Sequence, residues 1–209
     1  MKRRIAEAFR ALLRAALGLE LPMSQPPLRA PAISTGNPEL DPLVSFLRVW
    51  FAREIEAGMT LVIEDHTQVH TFYLEGSYED YVDGLLKEAC EQAPAEMIRN
   101  FGDRNRESRA VWPELMQFLP SRLLSREERH AIFKDDTYEG WKRFYERYPK
   151  AAGLVSVSRV GLNRDKDRVL FYLACCRGAL AAVGGLHVLQ REGDVWVQPP
   201  VCIGPRWVS

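Results

Sequence analysis

Ser158, Arg159, Asn163, Tyr172 and His187 are the residues whose types could do chemistry together. All lie in or beside segments with a period-2 apolar pattern, so one sheet would carry them. A serine, a histidine and an acid can share nucleophilic hydrolysis, with the imidazole taking the hydroxyl proton. Ser156 or Ser158 with His187 and Asp194 supplies those types. Neither serine stands in the G-x-S-x-G turn that exposes a nucleophile between a strand and a helix. A non-catalytic binding or protein-interaction module is therefore the leading expectation. The alternative is a hydrolase-type enzyme with a polar pocket in the C-terminal sheet, for which these residues are the binding candidates and no catalytic residue is named.

The other motifs point away from metals and cofactors. His66 and His70 have H-x-x-x-H spacing, which on a helix would set both on one face for a metal. Their flanks, TLVIEDHTQVHTFYL, are rich in β-formers, and four residues of strand span about 13 Å. Asn163 to Asp167 matches the start of an EF-hand loop, but Arg168 stands where that loop needs glycine and Ala174 where it needs glutamate. A polar hairpin turn is the better reading. Gly178, Gly184 and Gly185 lack the spacing of a phosphate cradle. Cys90, Cys175, Cys176 and Cys202 form no C-x-x-C, and free thiols behaving as small hydrophobes are expected. No cofactor and no metal are expected.

Arg159 invites a more specific expectation. In Leu154 to Gly161, alternation sets Arg159 on the same side as Val155 and Val157. An arginine at the end of an apolar stripe needs a partner if it is covered. A clamp to the preceding helical half is expected, with Glu64, Asp65 or Glu146 as the acid.

The elements that would position these residues follow from periodicity and capping. A helix is expected over 42–57, with Asp41 as N-cap, Pro42 in its first turn and Gly58 beyond its end. Thr60 to Glu64 reads as a strand with Val69 to Leu74 as its hairpin partner. Ser77 with Asp80 opens a helix reaching about residue 93, and 95–105 suggests another. Ser125 to Glu128 is a capping box, and Thr137 caps a helix with the aromatic stripe Trp141, Phe144, Tyr145 and Tyr148. Beyond residue 154 the period falls to two. Strands are expected over 154–161, 168–175, 185–191, 194–198 and 201–208, the first two paired across the 163–167 turn. Trp50, Phe51, Trp141 and Phe144 would pack the helices on this sheet. The fold class is thus α+β, a helical N-terminal half packed on a C-terminal antiparallel β-meander.

Composition bounds the partners. Of 209 residues, 46% are apolar and 27% charged, an ordinary globular mix. Basic and acidic residues balance at 28 each, so nothing draws the whole chain to nucleic acid or an anionic membrane, and neither contact is expected. Residues 1–22 read as a basic amphipathic helix and 23–41 as a proline-rich linker, leaving 42–209 as a single α+β domain. A protein partner would meet either the amphipathic helix or the face of the sheet. Glu7, Arg10 and Arg14 interrupt what an export signal would keep apolar, so a cytoplasmic location is expected.

The run GWKRFYERYPKAAGLVSVSRVGLNRDKDRVLFY resembles a family of bacterial proteins without assigned activity. The pattern is W-x-x-F-Y-x-x-Y-P, then S-x-S-R-V-G-x-N, a hairpin, a Gly-rich loop and a closing Trp strand. Here it falls on Trp141, Phe144, Tyr145, Tyr148, Pro149, Ser156, Ser158, Arg159, Val160, Gly161, Asn163, Tyr172, Gly178, Gly184 and Trp196. TLVIEDHT and the spacing of Phe101 and Asn105 extend the likeness from about residue 60 to the end. The resemblance implies a fold unit and no function. It also implies that export is open to this chain, since many members of that family carry a signal peptide, a feature from which this chain departs.

Overall fold

The computed structural model describes residues 28–68, 77–134, 137–200 and 207–208. These form a mixed α+β fold. In chain order the elements are β1 (Arg29–Pro31), α1 (Leu40–Trp50), α2 (Ala52–Glu56), β2 (Thr60–Glu64), α3 (Tyr78–Lys87), α4 (Ala95–Arg104), α5 (Leu115–Phe118), β3 (Ser121–Leu124), α6 (Arg126–Phe133), α7 (Thr137–Arg147), β4 (Ala151–Val157), β5 (Gly161–Leu162), β6 (Arg168–Gly178), β7 (Ala181–Glu192), β8 (Val195–Val197) and β9 (Trp207–Val208).

One sheet joins all the strands, in the order β1-β8-β7-β6-β4-β2-β3, with β5 beside β6 and β9 beside β7. Strand β4 pairs antiparallel with β6, Leu154 opposite Cys176, and β6 pairs antiparallel with β7, Phe171 opposite His187. The other end of the sheet departs from the expectation of an antiparallel meander, because β2 runs parallel to both β3 and β4. The run TLVIE is almost continuously buried, which suits a strand covered on both faces between parallel neighbours rather than half of an exposed hairpin. The expected hairpin partner, 69–74, lies outside the described residues, as do 201–206.

Alternation divides the core into two layers. Leu61, Ile63, Val155, Val157, Phe171, Leu173 and Cys175 pack with Leu43, Phe46, Leu47 and Phe51 on one face. On the other face, Leu170, Tyr172, Leu186 and Val188 meet Leu85, Met97, Ile98 and Phe101 of α3 and α4. Val62, Leu124 and Leu154 meet Ile132 of α6, Phe144 of α7 and Tyr148 just beyond it on that same side.

Local chemistry explains the boundaries. Both capping boxes form: Ser77 accepts from Asp80 N–H before α3, and Ser125 accepts from Glu128 N–H before α6. Helix α1 begins two residues before the expected site. Asn37 makes the turn, its carbonyl accepting from Leu40 N–H at 2.9 Å. Asp41 caps nothing, because its carboxylate accepts from the Thr35 N–H at 2.7 Å and hydroxyl at 2.6 Å. Within the stretch expected as a linker, β1 lies antiparallel to β8 with Ala30 opposite Trp196. Proline is tolerated there because β1 is an edge strand. The expected strands 168–175 and 185–191 extend toward each other, β6 to Gly178 and β7 from Ala181, so that a tight hairpin joins them.

The thiol chemistry corrects another expectation. Cys90 is disulfide-bonded, whereas Cys175 and Cys176 are free. Cys202 lies outside the described residues. Burial pushes the Cys175 thiol up to about 11, so it carries almost no thiolate at neutral pH. Alkylation of the native, unreduced protein at about pH 8 should therefore spare Cys175. After denaturation without reductant, peptide mapping should find Cys175 and Cys176 alkylated and Cys90 in a cross-linked peptide. An alkylated Cys90 would refute the bridge.

Candidate functional site

The residues singled out for chemistry are spread over the fold. Ser158 is 1% exposed. Its hydroxyl donates to Arg159 C=O at 2.9 Å and accepts from Tyr172 N–H at 2.8 Å, bridging the break between β4 and β5. Asn163 folds the β5–β6 turn. Its side-chain oxygen accepts from Asp167 and Arg168 N–H, and its amide donates to Asp167 at 2.7 Å. Lys166 completes that turn with φ 58. Tyr172 faces α3 and α4. His187 faces the opposite layer, with its ring 4.7 Å from Phe46, 5.2 Å from Trp50 and 5.6 Å from Phe171. The Gln198 amide meets His187 Nδ1 at 3.1 Å.

Arg159 makes the clamp, but with neither the geometry nor the acid expected. It lies beyond the end of β4, in the break before β5. Its partner is Glu39, just ahead of α1, rather than Glu64, Asp65 or Glu146. Arg159 Nε donates to Glu39 Oε2 at 2.9 Å and Nη2 to Oε1 at 3.0 Å, a two-pronged contact. Arg104 Nη1 reaches the same carboxylate at 2.5 Å and also donates to Val160 C=O at 3.2 Å. The Arg159 guanidinium stands 4.8 Å from the ring centre of Trp112. Asn105 holds the Arg159 backbone on both sides, accepting from its N–H at 2.8 Å and donating to its C=O at 3.0 Å. Glu39 was invisible in the sequence as a partner. Asn105 had registered only in the likeness to the bacterial family.

A second polar group gathers where β2, β3 and β4 end, the carboxyl edge at which parallel strands commonly present ligand-binding residues. Asp65 accepts from His66 Nδ1 at 2.7 Å. His66 pairs by backbone with Ala110. Beside them, Ser108 donates its hydroxyl to Thr67 C=O at 2.7 Å and accepts from Arg126 Nη2 at 2.7 Å. Behind them, buried Glu64 binds Arg129 at 2.6 Å and accepts from Gln68. An acid orienting an imidazole is half of a hydrolytic set. The Ser108 hydroxyl is already engaged twice, so its proton is directed at a carbonyl and not at a base. Among the described residues no group of three or more histidines, cysteines or acids could hold a metal. His70 lies outside them.

Concave surface occurs elsewhere. A cleft of about 190 Å³ lies between α3 and α4, bordered by Tyr78, Glu79, Asp83 and Arg99. Burial pushes the Tyr78 phenol up to about 12, and the phenol donates to Gly102 C=O. A second cleft, of about 460 Å³, lies between α6 and α7. None of Ser158, Arg159, Asn163, Tyr172 and His187 lines either cleft. No helix among the described residues is long and apolar enough to cross a membrane. No known family model, curated protein or solved structure matches this chain.

Proposed function

We propose that this chain is a non-catalytic module that binds another protein. The observation that carries this reading is the commitment of the polar candidates to the fold. Ser158 bridges a strand break, Asn163 closes a turn, and Arg159 is locked on Glu39. A side chain whose donors and acceptors are satisfied internally has little left to offer a reacting substrate. The partner would meet the helical layer over the sheet or the basic amphipathic stretch ahead of residue 22. Neither nucleic acid nor membrane enters this proposal. A cytoplasmic setting belongs to the same reading and has to accommodate the Cys90 disulfide, which an oxidising compartment favours.

The test is reconstitution. A protein recovered on the immobilised full chain should re-form the complex from purified components, with a measurable Kd and fixed stoichiometry. His66→Ala should leave that Kd unchanged. Turnover of an ester, amide or phosphoester by the chain, lost in His66→Ala, would replace the module with the hydrolase.

A further inference from the structure

The sequence holds four cysteines, Cys90, Cys175, Cys176 and Cys202. Cys90 is disulfide-bonded, and Cys175 and Cys176 are free thiols. Within one chain, elimination leaves Cys202 as the partner of Cys90. The flanks of Cys202 agree with this. Gln198 N–H donates to Leu28 C=O at 2.9 Å, and the Gln198 amide meets His187 of β7 at 3.1 Å. Trp207 lies opposite Gly184 of β7. Both ends of the stretch that carries Cys202 are thus fixed along β7, between His187 and Gly184. Cys90 packs against the cluster that contains Leu186 and Val188 of the same strand.

Cys90 stands just beyond the end of α3, and α3 has a lighter hold on the core than its neighbour. Of its residues only Leu85 is buried, with Tyr81 and Leu86 partly so, whereas α4 buries Met97, Ile98, Phe101 and Gly102. Further ties of α3 are polar. They include the capping box at Ser77, the Tyr78 hydroxyl donating to Gly102 C=O at 2.9 Å, and the exposed pair of Glu79 with Arg106 at 3.3 Å. Water competes for such contacts, and each adds little to the hold. After α3 the chain makes a closed turn. Cys90 N–H donates to Ala93 C=O at 3.2 Å, and Ala93 N–H to Cys90 C=O at 3.1 Å. Arg168 of β6 donates to Glu91 C=O within that turn. Cys90 is therefore held in place beside β6 and β7.

We propose that Cys90 is bonded to Cys202 and that this bridge is a redox-sensitive fastening, which holds α3 on the sheet and whose reduction frees α3 while β4, β6 and β7 stay paired. The proposal does not depend on the reading of the chain as a module. β6 and β7 pair along nearly their whole length, a lattice that does not need the bridge. Helix α3, with one buried side chain, gains most from a fixed point at its end. To form the bridge, two thiols lose two protons and two electrons as their sulfurs join. The electrons reduce an acceptor disulfide to two thiols. In reverse, a thiolate of a dithiol attacks one sulfur of the bridge, and its second thiol resolves the mixed disulfide. The dithiol leaves as a cyclic disulfide, and Cys90 and Cys202 regain their protons. Cys90 is only partly buried, so such a reagent can reach it.

The test uses the full chain. Digestion of the monomer without reductant should yield the Cys90 peptide joined to the Cys202 peptide. Cys90 joined to a cysteine of a second copy, joined to Cys175 or Cys176, or found alkylated would overturn the pairing. Dithiothreitol under native conditions should speed amide exchange in α3 by about tenfold or more, with β4 and β6 still protected. The melting midpoint should fall by about 10 °C, as expected for a bridge that closes a long loop. Cys90→Ser and Cys202→Ser should each reproduce both effects, and the double variant should be no worse than either. Cys176→Ser should leave α3 exchange unchanged. Where a serine variant does not fold, the reduced parent gives the same reading. Unchanged α3 exchange on reduction, or an equal loss of protection in β4 and β6, would overturn the fastening.

Discussion

Glu39→Ala should cost the protein about 3–5 kcal/mol of stability, because it strands two guanidiniums at once. The Glu39 side chain is 11% exposed, and those of Arg159 and Arg104 are 24% and 32% exposed. Water therefore relieves part of the loss, and the lower half of that range is the better expectation. For a chain of this length the midpoint should fall by about 10 °C. Arg159→Ala should cost about 2–3 kcal/mol, less than Glu39→Ala, since Arg104 still neutralises the carboxylate. The double variant should be less damaged than the sum, as befits residues that share one contact. Chemical denaturation of the three variants measures all of this. An Arg159→Ala protein as stable as the parent would mean that the clamp does not hold the fold, and would return Arg159 to the list of ligand-binding residues.

The second large effect is expected at Gly161, in β5. A Cβ built there would lie 2.4 Å from Phe101 Cβ, 2.7 Å from its Cα and 2.8 Å from its backbone nitrogen. The obstacle is the main chain of α4, which cannot swing aside as a side chain could. Accommodating Gly161→Ala requires β5 and α4 to separate. That strains the bonds linking them, Asn100 Oδ1 to Leu162 N–H at 2.9 Å and Arg104 to Val160 C=O at 3.2 Å. Destabilisation of about 3 kcal/mol is expected, read as a lower denaturation midpoint with unchanged slope. A Gly161→Ala variant with the parent's midpoint would show that the two elements are not packed this closely.

Features encoded within a few residues were legible in the sequence. Both capping boxes, the Asn163 turn and the paired segments of β4 and β6 follow from local chemistry. What escaped depends on distant contacts. The bond from Arg159 to Glu39 spans 120 positions, and nothing near either residue selects the other. Strand β3 is only Ser121 to Leu124, wedged between Pro120 and the Ser125 cap, too short to display alternation. Its place in the sheet comes from lying alongside β2. Strand β1 is hidden by Pro31 and the prolines around it, which argue against a strand until an edge position is known to be available. The candidate residues share chemical types and not a place in the fold. His187 and Tyr172 lie near in sequence, yet alternation sends them to opposite layers.

The pairing of β1 with β8 bears on how the chain is made. Arg29 aligns with Val197, so the partner of this strand leaves the ribosome 168 residues later. During synthesis β1 waits with no lattice to join, while the helices and β2 to β4 can already condense. A long apolar strand left waiting would invite pairing with a neighbouring nascent chain. β1 is three residues long, ends in Pro31, and offers a buried side chain only at Ala30. It is a poor template for a foreign strand and an adequate one for β8, and it can join the sheet only once β8 has been made.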